Sequence, residues 1–151
     1  MWLRSQRIHS GRLRDYIHQD DDAETSRTML DPCRVWDDEH AEFAIGLRVP
    51  GCPHMVFGPG ADDKTDEFTL WLFDGAGSWA SVDYEPEGTD YAVDQYGPRR
   101  LWGEVEAAYS WWDGLRRPER ERFGLTVTPD RQTVWLDDPA GGHAWQPEVG
   151  K

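Results

Sequence analysis

A chain of 151 residues and 17.4 kDa has room for one domain with a single core and leaves none for a complete multidomain enzyme. Its 29 acidic residues against 16 basic ones leave a net charge of −13, which argues against sequence-independent binding to nucleic acid or to an anionic membrane surface. Any charged partner should be basic.

Leu, Ile, Val and Phe together number only 27, below the level of about 20% at which a highly charged chain tends to be disordered. Nine Trp and five Tyr reverse that expectation, because each buried ring removes on the order of 150–250 Å² from water. No apolar run exceeds four residues (70–73), so neither a secretory h-region nor a membrane span is read, and the expected compartment is the cytoplasm. Cys33 and Cys52 are expected as free buried thiols rather than a bridge. Charge is uneven: residues 1–14 carry Arg4, Arg7, Arg12 and Arg14 and no acid, whereas residues 15–98 sum to −16. That acidic middle reads as solvated loops or as a docking face for a basic partner.

In chain order, residues 1–18 mix apolar residues and arginines without a clean period and are given a strand or two, and residues 19–29 read as a polar loop. A helical turn begins at Asp31-Pro32, with Val35 and Trp36 as its apolar residues. Phe43, Ile45, Leu47 and Val49 alternate with smaller or polar residues, the period of a half-buried strand. After a turn at Pro50-Gly51 comes a short apolar run (52–57), then a loop by composition (58–67).

The strongest hairpin signal is 68–73 and 79–84 around Asp74-Gly75-Ala76-Gly77. With an even connection, Thr69, Trp71 and Phe73 share a face with Ala80, Val82 and Tyr84. Both faces are then partly apolar, and something besides the domain's own long helix should cover the second. That main amphipathic helix is read over about residues 99–113, with Leu101, Trp102, Val105, Ala108, Tyr109 and Trp112 in one arc of about 120°. Gly114 stops it and Pro118 prevents re-entry. A last hairpin pairs Phe123, Leu125 and Val127 with residues 133–136. These elements predict an α+β fold, an antiparallel β-sheet of hairpins with one main helix packed on it, spanning residues 1–138, with residues 139–151 as a loose tail.

Little here suggests chemistry. The glycines after Asp74 open a strand, not the helix that a dinucleotide or S-adenosylmethionine loop requires. Cys33, His40, Cys52 and His54 make a zinc set only on paper, without a Cys-x-x-Cys pair. The acid pairs Asp37-Asp38, Asp62-Asp63 and Asp137-Asp138 fall in turns, where side chains point apart into water. No catalytic, cofactor or metal residue is therefore assigned. Trp79, among polar neighbours, and Trp111, off the helix stripe, are the candidate partner surface, since exposed Trp is costly unless covered.

One stretch carries a resemblance. Gln95-Tyr96-Gly97-Pro98-Arg99-Arg100-Leu101-Trp102, continued by Glu104-Val105-Glu106-Ala107-Ala108-Tyr109, Trp111-Trp112, Pro118-Glu119-Arg120, Arg122-Phe123-Gly124-Leu125-Thr126-Val127-Thr128-Pro129-Asp130 and Val134-Trp135-Leu136-Asp137, is similar to the C-terminal region of protein-L-isoaspartate O-methyltransferase-like enzymes. These are the ATP-grasp peptide maturase system methyltransferases, which modify ribosomally made peptides in actinobacteria. Residues 95–138 carry most of the likeness. Gly103 and Arg131 depart from it: the family usually has an acid at the first position and a glycine at the second.

The resemblance implies S-adenosylmethionine-dependent methyl transfer to a peptide carboxylate, with the cofactor held by an N-terminal Rossmann-type domain that has no counterpart in this chain. The expectation that follows is an accessory domain that holds a precursor peptide or the methyltransferase catalytic domain and is not catalytic alone. The alternative is a free-standing acidic binding protein, of immunity or inhibitor type, that masks a basic partner.

Overall fold

The computed structural model of the chain describes residues 22–57 and 67–147. The strands expected in residues 1–18 and nearly all of the 58–67 loop lie outside the described residues. Among these residues the architecture is α+β: a five-stranded antiparallel sheet, a separate three-stranded antiparallel sheet, and three α-helices.

The large sheet is built from β1 (Glu24–Thr28), β2 (His54–Phe57), β3 (Phe68–Phe73), β4 (Trp79–Tyr84) and β5 (Tyr91–Tyr96), in the order β1-β5-β4-β3-β2. β1 corrects the polar loop expected for residues 19–29. Its apolar pattern is absent because polar side chains hold it: the Thr25 hydroxyl donates to Asp94 at 2.8 Å, and Arg27 forks onto the Asp90 carboxylate. β5 was not foreseen as an element, although its alternate residues Tyr91, Val93 and Gln95 are buried.

The β3–β4 hairpin forms as expected, but its connection has an odd length. Phe73 pairs with Trp79 and Phe68 with Tyr84, so the turn spans residues 74–78. The Asp74 amide donates to the Ser78 carbonyl, and the Asp74 carboxylate accepts from the amides of Ala76 and Ser78, while Gly75 and Gly77 take positive φ. This corrects the face assignment. Phe68, Leu70 and Leu72 lie with Ala80, Val82 and Tyr84 on the core face, whereas Thr69, Trp71 and Phe73 lie with Trp79, Ser81 and Asp83 on the outer one.

α1 (Pro32–Trp36) starts where expected, with the Asp31 side chain capping the Cys33 amide and Pro32 in the first turn. α2 (Glu39–Arg48) replaces the strand expected over Phe43–Val49. Asp38 caps the amides of His40 and Ala41, and Glu39 and Glu42 suit the positive end of the helix. Its buried residues Ala41, Ala44 and Ile45 follow helical spacing. The apparent period of two arises because α2 is covered on more than one side: Ile45 and Val49 enter the main core, while Phe43 meets Phe123 at 5.7 Å.

α3 (Leu101–Gly114) is the expected main helix. It buries Leu101, Trp102, Val105, Ala108 and Trp112, with Leu101 to Ala108 against Leu70, Val82 and Val93 of the large sheet. The chain leaves it through Arg116 and Arg117, both at positive φ, and the Trp112 indole N–H donates to the Pro118 carbonyl at 2.9 Å. The small sheet follows: β6 (Phe123–Val127), β7 (Gln132–Leu136) and β8 (Ala144–Trp145), in that order. β8 lies inside the stretch expected to be a loose tail; it is held because its Trp145 ring packs edge-on against Trp111 at 5.0 Å.

Candidate functional site

The resembling motif begins by joining the large sheet to α3. Gly97 adopts φ of 99°, and a Cβ there would lie 2.6 Å from the Ser78 Cα and 2.9 Å from the Gly77 carbonyl oxygen. Only glycine permits that approach of β5 to the hairpin turn. The next arginine completes the joint. The Arg99 amide donates to the Ser78 hydroxyl, and its guanidinium forks onto Glu104 at 2.8 and 3.0 Å and donates to the Pro50 carbonyl. Burial alone would raise the Asp74 carboxyl, but the Ala76 and Ser78 amides, the Ser78 hydroxyl and the Arg99 charge outweigh it and hold the group below the usual carboxylate range. The glycine-rich turn and the Gly-Pro-Arg motif thus hold two sheet ends and a helix start together.

Trp79 stands on the outer face of the large sheet and is 9% exposed. It meets Trp71 at 5.7 Å and stacks on Tyr96 at 6.2 Å. Trp71 and Trp79, with Met55, Phe57 and Phe73, border a groove of about 340 Å³, rimmed by Gly75, Gly77 and Ser78. Trp111 is half-buried and belongs to a different cluster. It packs against Phe123 and Trp145, and the Arg48 guanidinium sits over its ring at 4.9 Å, a cation–π contact that covers one face. The two tryptophans named from the sequence therefore belong to two separate surfaces.

The second surface includes residues that were read only as a hairpin strand. Among the described residues β6 ends the small sheet and pairs with β7 alone, and its Leu125 and Val127 are 56% and 62% exposed. On the opposite face Trp135 lies over Gly124 and donates its indole N–H to the Thr126 hydroxyl at 3.0 Å. The sequence signal for an exposed apolar edge was available: three apolar residues at period two in the last hairpin, with few apolar partners left to cover them.

The remaining candidates do not converge. Cys33 is buried on α1, and Cys52 follows α2 with its thiol pushed up to about 11, chiefly by burial. His40 accepts from the Arg120 amide, and burial lowers the imidazole pKa of His54. No three His, Cys, Asp or Glu side chains come together as a metal set among the described residues. Of the acid pairs, Asp38 caps α2 and Asp137 forms a two-pronged pair with Arg122 at 2.7 and 2.8 Å, while Asp62-Asp63 lies outside the described residues. No described helix is long and apolar enough to cross a membrane.

Fold and surfaces together define an antiparallel α+β module with two aromatic faces at separate places. Compared with known proteins, the chain matches no family model, no curated protein and no solved structure.

Proposed function

We propose that the chain is a recognition module of a peptide-modifying system, an accessory partner of a protein-L-isoaspartate methyltransferase-like catalytic domain, and that it seats an extended precursor peptide on the free edge of β6. The observation that carries this reading is the exposure of Leu125 and Val127 on an end strand inside residues 95–138, the stretch that resembles the methyltransferase family. An unpaired edge offers main-chain donors and acceptors to an added strand, and alternate apolar side chains give it register. S-adenosylmethionine would belong to the catalytic partner.

The test is co-purification with a methyltransferase domain encoded beside this chain, together with turnover of its precursor peptide. Adding the chain should raise carboxylate methylation, and Leu125→Asp/Val127→Asp should abolish the gain without unfolding the module. Absence of both binding and stimulation would refute the proposal.

One observation favours the second reading, an acidic protein that masks a basic partner. A hollow of about 520 Å³ is lined by Asp31, Asp37, Asp38 and Glu39, with Arg34 as its basic residue. Binding there should weaken steeply as salt rises, whereas strand addition at β6 should not.

A further inference from the structure

Among the described residues, β6 is an edge strand without the features that usually blunt one. Its five residues, Phe123-Gly124-Leu125-Thr126-Val127, carry no charge and no proline, and they pair with β7 in unbroken register. Other edges are guarded: β1 presents Glu24 and Arg27, and β8 is only two residues long.

The ladder fixes which main-chain groups of β6 remain open. The Thr128 amide donates to the Arg131 carbonyl and the Asp137 amide to the Arg122 carbonyl, so the even-numbered residues turn their main chain toward β7. Phe123, Leu125 and Val127 turn theirs outward. The Phe123 amide is already given to the Arg120 carbonyl. That leaves the amides of Leu125 and Val127, and the carbonyls of all three, for another strand.

The same three residues carry the apolar face of the strand. Phe43, Leu125 and Val127 are three of the four large apolar side chains exposed among the described residues, and Phe43 meets Phe123. Their pattern along β6 is symmetric about Leu125. An antiparallel copy related by a two-fold axis at that residue sets Leu125 against Leu125 and Phe123 against Val127, the latter an aromatic–β-branched pair of the kind that stabilises sheets. The two Leu125 residues then exchange both main-chain bonds, and each Val127 amide reaches the Phe123 carbonyl of the second copy. On the opposite face Gly124 meets Thr126, small residues that leave room for the Trp135 ring.

Charge agrees at both ends of the pairing. This register lays Asp130 and Arg131 of one copy beside Glu119 and Arg120 of the other, acid to base and base to acid. Among the described residues Glu119, Asp130 and Arg131 form no ion pair within their own chain.

We propose that the occupant of the β6 edge is a second copy of this chain, paired antiparallel about Leu125 so that two three-stranded sheets join across the axis. The inference does not depend on the peptide reading. Two copies pair with no peptide present, and a precursor peptide seated on β6 has to displace the second copy.

Sedimentation equilibrium of the full chain, with neither methyltransferase nor peptide added, tests it. The parent should approach twice the 17.4 kDa chain mass at about 100 µM, the range of a small interface. Leu125→Lys sets two like charges together at the axis and should weaken the dimer about tenfold or more. Because Leu125 is exposed, that variant keeps its fold. Cysteine cross-linking reads the register, with the parent as blank. Under mild oxidation Leu125→Cys should join two chains, since residues facing across such an axis lie about 5.5 Å apart, whereas Gln132→Cys on β7 should not. A parent that stays monomeric at about 1 mM would overturn the proposal. So would a Leu125→Lys variant that dimerises as well as the parent, or a Gln132→Cys variant that cross-links as fast as Leu125→Cys. Neither assay contains the catalytic partner, so failure here leaves the peptide reading standing, and absence of stimulated methylation leaves the dimer standing.

Discussion

Gln95→Leu should destabilise the domain through a helix start that sits some distance away in the sequence. The residue at the helix cap, Arg100, makes no side-chain bond to the first turn of α3, and the amide of Trp102 is instead taken by the Gln95 carboxamide oxygen of β5 at 2.9 Å, in a buried position. That amide is one of the donors a helix cannot satisfy internally. Leucine fills similar space but offers no acceptor, so the buried N–H is left unpaired at a cost of about 1–3 kcal/mol, partly offset by the added apolar burial. With a urea dependence of about 1–3 kcal/mol per M, the midpoint should fall by roughly 0.5–1.5 M at unchanged slope. Arg100→Asp supplies the missing control. An Asp at the cap can accept from the same Trp102 amide, at the loss of an exposed ion pair with Glu24 worth under about 1 kcal/mol. In that background Gln95→Leu should cost less than half as much, a coupling that a double-mutant cycle reads directly. An unchanged midpoint for Gln95→Leu, or equal costs in both backgrounds, would refute the reasoning.

Gly97→Ala should lower the melting temperature by several degrees in thermal circular dichroism, because its positive φ and the close Ser78 backbone together impose strain of about 1–3 kcal/mol or more; a parent-like transition would show that the turn yields freely. Gly124→Val should displace Trp135 from β6 and break its bond to Thr126, seen as a red shift in tryptophan emission, with smaller effects on the large sheet. Burial lowers the folded-state pKa of His54, so the unfolded chain takes up its proton first; stability should hold above the ordinary imidazole value of about 6.5 and decline as pH falls below it. His54→Gln should remove that part of the decline, and identical urea midpoints from pH 8 to 5.5 in both proteins would contradict the assignment. With its thiol at about 11, Cys52 should alkylate at pH 8 on the order of a hundredfold more slowly than a free cysteine; a normal rate would mean that its site is open.

Some of this fold is legible residue by residue. The stripe from Leu101 to Trp112, the cap-and-proline start at Asp31-Pro32, and the two hairpins around residues 74–78 and 128–131 are local patterns, and each forms in the expected place. β1 was missed because an end strand held by Thr25–Asp94 and Arg27–Asp90 bonds needs no apolar period. β5 had such a period in Tyr91, Val93 and Gln95 and could have been found. The stretch 43–49 was misread because α2 meets neighbours on several sides, and apolar residues placed around a helix imitate the alternation of a strand. Among the candidate surface residues, the sequence pointed to Trp79 and Trp111, but their ring partners are set by strand pairing and sheet packing: Trp71 across the hairpin and Tyr96 on β5 for Trp79, Phe123 and Trp145 of the small sheet for Trp111.

What the sequence by itself determined is the inventory: an acidic chain that must core itself with aromatic rings, one strong helix, and hairpins. What only the tertiary structure decided is the assignment of faces. A single odd residue in the 74–78 turn puts Trp79 beside Trp71 and Phe73 instead of in the core, since side chains alternate with a period of two and a one-residue change of register exchanges the two faces of a strand. That exchange produces the aromatic outer face, and local pattern cannot reveal it because both registers satisfy the same hydrophobic alternation.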